Sequence, residues 1–551
     1  MYIYKSGISA ERFLNMKSAY AESYIRELRK EYEQLKNADI PALTKDDFDG
    51  YALTGRRVGY EKKYFLRRAM LRDFALITWL GESGAAKKLE EIITAVCAEK
   101  TWALPAHVNG NENVIDLFAA ETAQALIEII SLTGGALRQE ITEKAISEVK
   151  RRVLTPYLTR NEPYNWESMR SNWCAVCGGS VGMTVLYLVE DIEEVREIAS
   201  GLKSVFESYM ESFSDDGACL EGLYYWGYGM TYLTAFLDLY KERTGEDFPI
   251  NTEKFTKMAD FPNKCAITSG VTVSFSDGNE RDRIYAGLSS YLAARYGATS
   301  VPEECLALFL GDDCGRWCRA VRDVAWHNAA KKGTGEKVSV LNDAQWAVMR
   351  GDRLSLAFKG GTNGEPHNHN DVGSLTIVKD GEVILCDLGA GEYTREYFSD
   401  DRYNVFCCSS LGHSVPIING TPQKAGAEYK ATDFHTVGNT VSSDIAGAYG
   451  IASLKKCVRT LTLAETAVML TDTFTVTAPL KITERFIARL DAHRVPNGIA
   501  VGGALLTADG EYDIEISHES HAEHDGTETD VTVIDYTFDV CGETTFTLTV
   551  K

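Results

Sequence analysis

The 551-residue sequence lacks any continuous run of about 18 or more apolar residues, which a membrane-spanning helix needs. Its first residues also lack the basic stretch and apolar run of a secretion signal. Neither a strict internal repeat nor a low-complexity segment is present. We therefore expect a soluble protein that is neither secreted nor inserted in a membrane.

Cysteine does not follow the even-numbered pattern of a disulfide framework, because the chain has 13 cysteines. Most of them lie among apolar residues, as do Cys97, Cys219, Cys305 and Cys386, where a reduced thiol packs as a small hydrophobic group. The cysteines favour a reducing, cytoplasmic location.

Basic residues are fewer than acidic ones: the chain has 57 Lys and Arg and 79 Asp and Glu, which gives a net charge of -22. This charge repels phosphate backbones and anionic lipids, so we expect neither a nucleic-acid nor a membrane partner. An acidic glycan would be repelled as well, unless a local cluster of donors receives it. The sequence leaves the oligomeric state open, a homo-oligomer included.

A chain of this length can form more than one apolar core. In roughly the first 325 residues, apolar residues recur at helical spacing. In 114–132, for example, Phe118, Ala125, Ile129 and Leu132 form one stripe, and a glycine pair follows as a stop. Helices are predicted at 9–36, 57–80, 84–98, 114–133, 138–154, 192–213, 222–242 and 284–297. This pattern indicates a helical array or toroid.

After the polar stretch 331–335 the pattern changes to the alternation typical of strands. Asp380-Gly381 lies between two apolar runs and predicts a tight hairpin turn. Further strand pairs are predicted in 336–359, 457–477 and 483–549. Helices followed by strands predict two domains: a helical domain at 1–328 and an antiparallel β-sandwich at 336–551.

The segment 364–374 concentrates groups that can do chemistry. His367, His369 and Asp371 alternate and would share one face of a strand, although a polar strand end would show the same pattern. Asp387 ends the next apolar run, where a carboxylate must be paired or bound to a metal, and His413 follows a turn. One carboxylate and two imidazoles can hold zinc with its fourth position open.

Two segments of the helical half combine polar and aromatic residues. Asn172 opens an apolar helix and can donate a hydrogen bond to a carboxylate, or it can act as the N-cap. In 221–229, Tyr225 and Tyr228 share a helix face, and Trp226 can stack on a sugar ring. The alternative for this second segment is an aromatic core.

Two other sets of residues suggest weaker hypotheses. A four-thiolate zinc site would combine two close cysteine pairs, Cys174 with Cys177 and Cys314 with Cys318, but both pairs lie in apolar helical segments. A histidine group among acidic residues is typical of a solvated hairpin edge; its members are His518, His521 and His524.

Over roughly residues 50–430 the sequence resembles the heparinase II/III-like family of polysaccharide lyases. The resemblance rests on three blocks: Asn172-Trp-Cys-Ala-Val-Cys-Gly-Gly-Ser-Val-Gly, then Glu221-Gly-Leu-Tyr-Tyr-Trp-Gly-Tyr-Gly, then His367-Asn-His-Asn-Asp-Val-Gly with Asp387-Leu-Gly, Arg402-Tyr403 and Gly412-His-Ser-Val-Pro-Ile-Ile-Asn-Gly-Thr-Pro-Gln. It implies an N-terminal (α/α) toroid, an incomplete barrel, followed by a C-terminal antiparallel β-sandwich, with the active cleft between them.

The resemblance also implies roles for individual residues. Zinc would be held by His369, Asp387 and His413, and would mainly order the loop that carries His367. His367 would face the substrate, Asn172 would pair with a uronate carboxylate, and Tyr225 or Tyr228 would complete the catalytic set, with a slight preference for Tyr225. The candidate substrate-binding residues are Trp173, Glu221, Trp226, Arg402 and Tyr403.

The implied reaction is β-elimination. His367 or the tyrosine would remove the C5 proton beside the uronate carboxylate, Asn172 would stabilise the charge that develops there, and the tyrosine would protonate the departing O4. A cytoplasmic enzyme would act on short imported oligosaccharides from a chain end. Several lyases of this type have Asn-His in the first block, whereas this chain has Asn172-Trp173, so the epimer preference is open.

Two other function classes remain in view. A glycoside hydrolase could use Glu221 with Asp215 or Asp216 as an acid and base pair. A non-catalytic glycan-binding protein could keep the aromatic cleft without turnover.

Overall fold

The computed structural model of the protein describes residues 2–82, 84–268, 270–298, 306, 312, 314–328 and 336–551. The predicted linker at 331–335 and Cys305 lie outside the described residues.

The N-terminal half is helical. Its helices, as far as the chain is described, are α1 (Glu11–Leu14), α2 (Ala19–Leu35), α3 (Lys45–Thr54), α4 (Val58–Trp79), α5 (Ala85–Cys97), α6 (Pro105–Val108), α7 (Leu117–Thr133), α8 (Gln139–Val149), α9 (Thr155–Leu158), α10 (Asn172–Leu188), α11 (Ile192–Ser200), α12 (Lys203–Met210), α13 (Leu223–Thr244), α14 (Thr252–Cys265), α15 (Ala286–Tyr296) and α16 (Trp317–Trp326). They form a helical toroid, as the sequence predicted.

Helix α10 packs against both α7 and α13 at the centre of this domain, and all three helices are buried on nearly every face. Small residues allow the close approach: a Cβ at Gly179 of α10 would lie 2.7 Å from the carbonyl oxygen of Tyr232 in α13. The span Leu117–Ala136 is long and apolar enough to cross a membrane, but it is 83% buried inside the domain. It is a core helix.

The C-terminal half consists of antiparallel sheets. A short two-stranded sheet in the helical half has β1 (Ala266–Thr268) and β2 (Val271–Thr272). The strands that follow are β3 (Val338–Leu341), β4 (Trp346–Arg350), β5 (Leu354–Lys359), β6 (Thr362–Asn363), β7 (Leu375–Lys379), β8 (Glu382–Leu385), β9 (Pro416–Ile418), β10 (Gly426–Lys430), β11 (Thr432–Val437), β12 (Thr440–Asp444), β13 (Leu454–Leu463), β14 (Val468–Val476), β15 (Leu480–Ala488), β16 (Ala492–Val495), β17 (Gly498–Val501), β18 (Ala504–Ala508), β19 (Asp513–Ala522), β20 (Glu528–Val540) and β21 (Glu543–Val550).

The β domain has a two-stranded sheet, β10-β6, and three larger sheets. The larger sheets have the strand orders β3-β4-β5-β7-β8, β11-β12-β13-β14-β21-β18-β17-β16 and β19-β20-β15-β9. Apolar side chains that point inward from all three sheets, among them Leu356, Phe474 and Phe486, share one core. The expected hairpin is present: Asp380 and Gly381 have φ of 50° and 83° and join β7 to β8.

The two domains meet across a continuous apolar core. Trp346 of β4 lies between Phe261 and Phe275 of the helical half, with ring centres 5.9 and 5.3 Å away. Arg350, also on β4, donates hydrogen bonds to the carbonyl oxygens of Ala266, Asn263 and Lys264. The predicted fold class, a helical toroid followed by an antiparallel β-sandwich, is therefore confirmed.

Candidate active site

A turn at 274–278 brings the two halves of the site together. It is held on one side by the start of α13, where a Cβ on Gly222 would lie 3.0 Å from the backbone nitrogen of Gly278. On the other side, the Ser274 hydroxyl donates to the carbonyl oxygen of Asp387, 2.9 Å away, and a Cβ on Gly389 would clash with the Gly278 oxygen. Only glycine fits at these contacts, since both residues also have positive φ.

Asp277, at the centre of this turn, is the hub of the site. Its buried carboxylate accepts hydrogen bonds from five side chains: His367 Nδ1 at 2.5 Å, Tyr397 at 2.5 Å, Tyr393 at 2.7 Å, His369 Nε2 at 3.0 Å and Arg402 at 3.3 Å. Burial alone would raise the pKa of Asp277, but its imidazole partners hold it well below the usual range. Asp277, itself in the helical half, therefore binds side chains from two segments of the β domain, 364–373 and 386–415.

His367 lies in a loop, which corrects the prediction of a shared strand face. No strand runs through 364–373 in this described segment, and His367 has a φ of 53°. Asp371 points elsewhere, because its carboxylate pairs with Lys359 at 2.8 Å. Burial lowers the pKa of His367, but the Asp277 charge and hydrogen bond raise it above its ordinary value. Its side chain is 24% exposed, with Nε2 3.8 Å from Glu221.

The structure brings Tyr225, and not Tyr228, to this cluster. The Tyr225 ring lies 4.6 Å from the His367 ring, and its hydroxyl is hydrogen-bonded to that of Tyr393. Burial and the Asp277 charge raise the pKa of Tyr225. Tyr228 is buried inside the toroid, 3.9 Å from the guanidinium of Arg316.

Asn172 and Glu221 are buried polar residues next to each other, and Glu221 lies beside His367. Ser171, rather than Asn172, caps α10, since its side chain accepts from the Trp173 nitrogen. The Asn172 side chain is thus not used as a cap, and the residue is only 4% exposed. Glu221 is equally buried, its Oε2 has no hydrogen-bond partner among the described residues, and burial raises its pKa.

The two tryptophans predicted to bind substrate differ in burial. Trp173 is half-buried, and its ring lies 5.0 Å from that of His107 at the side of the cluster. Trp226 is 1% exposed and donates its indole N–H to the carbonyl of Met258, 2.7 Å away. Trp226 belongs to the aromatic core, so the prediction that it stacks on a sugar is wrong.

Arg402 and Tyr403 lie beside the cluster. All three side-chain nitrogens of Arg402 donate within the protein: Nε to the carbonyl of Asn368, Nη1 to that of Tyr397 and Nη2 to Asp277. Tyr403 is half-buried and accepts from the Asn368 amide at 3.3 Å. Arg402 therefore braces the loop that carries His367.

His369, Asp387 and His413 form the predicted metal-ligand group. All three are fully buried, and their ligand atoms lie within 4.8 Å of one another. His413 Nδ1 lies 3.0 Å from Asp387 Oδ2, and the His369 ring centre is 5.4 Å from that of His413. Two imidazoles and one carboxylate are a donor set that suits zinc.

The surrounding contacts fit a metal at this position. His369 Nδ1 is buried without a hydrogen-bond partner among the described residues, while its Nε2 faces Asp277. His413 Nε2 lies 2.7 Å from the carbonyl oxygen of Cys407, and Ser374 donates to Asp387 at 2.8 Å. Metal-bound histidines are oriented in this way, with the second ring nitrogen donating to a carboxylate or a carbonyl.

The weaker metal hypotheses find no support in the described residues. The Cys174 thiol is hydrogen-bonded to the carbonyl of Trp166, and neither it nor Cys177, Cys314 or Cys318 belongs to a ligand group within the described ranges. Of the three late histidines, His518 and His524 are exposed, as a solvated edge requires, but His521 is only 2% exposed and does not fit that interpretation.

The pair proposed for hydrolysis is not assembled either. Glu221 lies beside His367, whereas the Asp215 side chain is 91% exposed and pairs with Lys254. Asp216 accepts a hydrogen bond from the backbone of Asp343 at 2.8 Å.

Four residues of the site were not predicted: Asp277, Tyr393, Tyr397 and Arg57. Asp277 had a visible signal, since Ser276-Asp277-Gly278 follows an apolar run as Asp387-Leu-Gly389 does. Arg57 lies 5.0 Å from the Phe398 ring at the edge of the cluster, and nothing local in the sequence distinguishes it from the neighbouring Arg56.

Comparison with known proteins bears directly on this geometry. Residues 333–541 match the family described as "Heparinase II/III-like, C-terminal". This part of the chain is similar to the C-terminal domain of that family. The match contains the third of the three sequence blocks, and so confirms the resemblance where its residues are most specific. No match was found among curated protein sequences.

Solved structures extend the likeness to the whole chain. A crystal structure of heparinase III aligns with a TM-score of 0.61 at 13% identity, covering 100% of this chain and 92% of the other. The heparan sulfate lyase HepC of Pedobacter heparinus gives 0.56 at 12% identity, with 98% and 92% covered. The chondroitin AC lyase of Streptomyces coelicolor A3 gives 0.57 at 12% identity, with 98% and 82% covered. At these identities the likeness shows the fold, in which the heparinase II/III-like domain follows a helical toroid.

Proposed function

We propose that this protein is a polysaccharide lyase that cleaves a uronate-containing glycan by β-elimination. The observation that carries the proposal is the cluster of Tyr225 and His367 around Asp277, where the toroid meets the heparinase II/III-like domain; Glu221 lies beside His367, and Asn172 lies beside Glu221. Proteins named heparinase III, heparan sulfate lyase HepC and chondroitin AC lyase share the fold of both halves.

Tyr225 and His367 are the proposed proton-transfer pair. Nδ1 of His367 is held by Asp277, which leaves Nε2 as the atom that faces the site and strengthens it as a proton acceptor. His367 takes the C5 proton, the electrons of that bond form the C4–C5 double bond, and the C4–O4 bond breaks. Tyr225 donates its hydroxyl proton to O4, which yields a 4,5-unsaturated sugar without addition of water.

Asn172 is the proposed partner of the uronate carboxylate. It lies at the start of α10, where its amide can donate to the negative charge that develops on the carboxylate as the C5 proton leaves. Because it is buried, it needs little reorganisation to do so.

Zinc is the proposed metal of His369, Asp387 and His413. When bound, it supplies a fixed positive charge that holds these ligands together. Because His369 and His367 also share Asp277, the ordered ligands fix the loop that presents His367.

We propose an exolytic mode because a segment of the helical half closes one side of the site. The segment 51–57, here called the strap, pairs with the β domain through the bridge between Arg56 and Thr394 and the hydrogen bond from the Arg395 nitrogen to the Gly55 oxygen, 3.1 Å long. The neighbouring Tyr393 is part of the cluster. A glycan chain that enters the site would meet the strap, which favours binding at a chain end.

We also propose a cytoplasmic location. All the cysteines in the described part of the chain are free, and most are buried, which agrees with a reducing compartment.

The proposal is tested by following the ultraviolet absorbance of unsaturated uronate with purified protein and a panel of uronate oligosaccharides. An increase is expected for at least one member of the panel. Tyr225→Phe should lower the rate about 100-fold or more, because it removes the proton donor.

Tyr228→Phe is the matched control, since this tyrosine lies on the same helix but packs on Arg316 inside the toroid. It should retain most of the rate. New reducing ends without a rise in absorbance would show hydrolysis instead, and neither signal across a broad panel would contradict catalysis on uronates.

A further inference from the structure

Arg57 is a cation at the edge of the candidate site that the proton transfers do not use. Its guanidinium lies over the Phe398 ring, 5.0 Å from the ring centre, and its Nε is buried without a hydrogen-bond partner among the described residues. The neighbouring Arg56 differs, because it donates to Glu392 at 2.8 Å. Arg57 makes no such hydrogen bond among the described residues. Its charge lowers the pKa of Glu61, one turn along α4, against the larger effect of burial, and its donors remain available to a further anion.

A single aromatic ring, Phe398, connects Arg57 to the reacting groups. Phe398 lies 6.3 Å from the His367 ring and 4.9 Å from the Tyr393 ring, measured between ring centres. The positive charge of Arg57 also acts on Tyr225, whose pKa it lowers against the larger effects of burial and Asp277. Arg57 thus lies beside the proton-transfer pair without contacting Asn172, the proposed carboxylate partner.

We propose that Arg57 binds an anionic group, a sulfate or a second carboxylate, on the sugar next to the one held over Tyr225 and His367. The proposal rests on the proposed function, because it assumes that a uronate occupies the site. The planar guanidinium matches the paired oxygens of either group, and the Phe398 ring holds it from behind. In a protein with a net charge of -22, such a local cation also supplies attraction that the whole molecule lacks.

Calorimetric titration of three tetrasaccharides tests the proposal: an unsulfated chain of alternating uronate and hexosamine, its sulfated counterpart, and a chain of uronates alone. All titrations use the Tyr225→Phe background, so that binding is measured without turnover. Arg57→Gln should weaken binding about tenfold for the chains whose adjacent sugar carries the anion, because one charge-assisted contact is lost. Arg57→Lys should recover part of this affinity.

Arg56→Gln is the matched control, since it removes the same charge one residue away and should weaken binding less than Arg57→Gln. Loss confined to the sulfated chain identifies a sulfate, and loss on the all-uronate chain identifies a carboxylate. An equal loss of affinity for all three chains, or no loss for any, would overturn the proposal. In protein with Tyr225 intact, a fall in kcat caused by Arg57→Gln without a change in affinity would overturn it as well. Arg57-dependent binding without any unsaturated product would contradict the lyase reaction alone.

Discussion

At the scale of single residues, Asp277 couples chemistry to metal binding. One of its oxygens accepts from His369 Nε2, the other accepts from His367 Nδ1, and both contacts lie within 3.0 Å. The same carboxylate therefore orients a metal ligand and the proposed base. Groups that orient ligands in this way matter nearly as much as the ligands themselves.

Asp277→Asn should therefore lower both metal affinity and the rate of elimination by about 10- to 100-fold. The amide cannot accept from two imidazoles as well as a carboxylate does. Metal content by mass spectrometry and the absorbance assay measure the two effects. Asp238→Asn is the control, because Asp238 accepts from Tyr291 and Trp326 within the toroid and should affect stability only. Loss of rate with full metal affinity would separate the two roles.

Metal binding itself gives a second prediction. Purified protein should carry about one zinc per chain, and His413→Ala should lose it, since one of three buried ligands is removed. Thermal stability should fall together with the metal, because the ligands come from separate loops. His493→Ala, on an exposed strand, is the control. A chelator that changes neither the melting temperature nor the rate would contradict a bound metal.

The sequence indicated most of these residues by their chemistry but not by their contacts. His369, Asp387 and His413 stand out because buried polar groups after apolar runs need partners. The choice between Tyr225 and Tyr228 could not be made from helical spacing, which puts both on one face of α13. The contact that separates them, to Tyr393, comes from a loop 168 residues away. Trp226 was misassigned because composition alone does not show which face of a buried helix meets the cleft.

At the scale of elements, helices and strands followed the periodicity of their apolar residues. The errors occurred where tertiary packing decides the boundary. The predicted helix at 192–213 is two helices, α11 and α12, which separate at Gly201. The loop at 364–373 looked like a strand because its polar residues alternate, yet several of these side chains are fixed by partners outside the segment: His367 and His369 by Asp277, and Asp371 by Lys359.

The strap gives a prediction at this scale. Arg395 donates to the carbonyl oxygens of Tyr51 and Ala52, so Arg395→Ala should loosen the strap. On a long uronate chain, the variant should release more internal fragments than the wild type does. Size-resolved product analysis during the first turnovers measures this. Arg353→Ala, which removes an exposed arginine of the β domain paired with Asp380, is the control.

Wild-type protein that already releases mainly internal fragments would contradict the exolytic proposal. An Arg395→Ala variant with an unchanged product pattern would show that the strap does not limit chain entry.

At the scale of the whole molecule, an apolar core extends from the helical domain into the β domain, which also has a second core of its own. Trp346 of the β domain is 2% exposed and packs against Phe261 and Phe275, which lie on either side of the short sheet β1–β2. Phe275 is two residues from Asp277, so this interface supports the turn at the centre of the site. An extensive apolar interface of this kind couples the unfolding of the domains it joins.

We therefore expect one calorimetric unfolding transition for the wild type, although the chain has two structurally distinct halves. Trp346→Ala should destabilise the protein by about 3–5 kcal/mol, as loss of a large buried aromatic does, and should separate the transition into two. Phe474→Ala is the control: it removes a buried ring from the core of the β domain alone, and should lower stability without separating the halves. Two transitions in the wild type would show that the interface does not couple the domains. In that case the domains could separate at their interface before either one unfolds. Because the site contains residues of both domains, the rate of elimination should then fall at temperatures below the first transition.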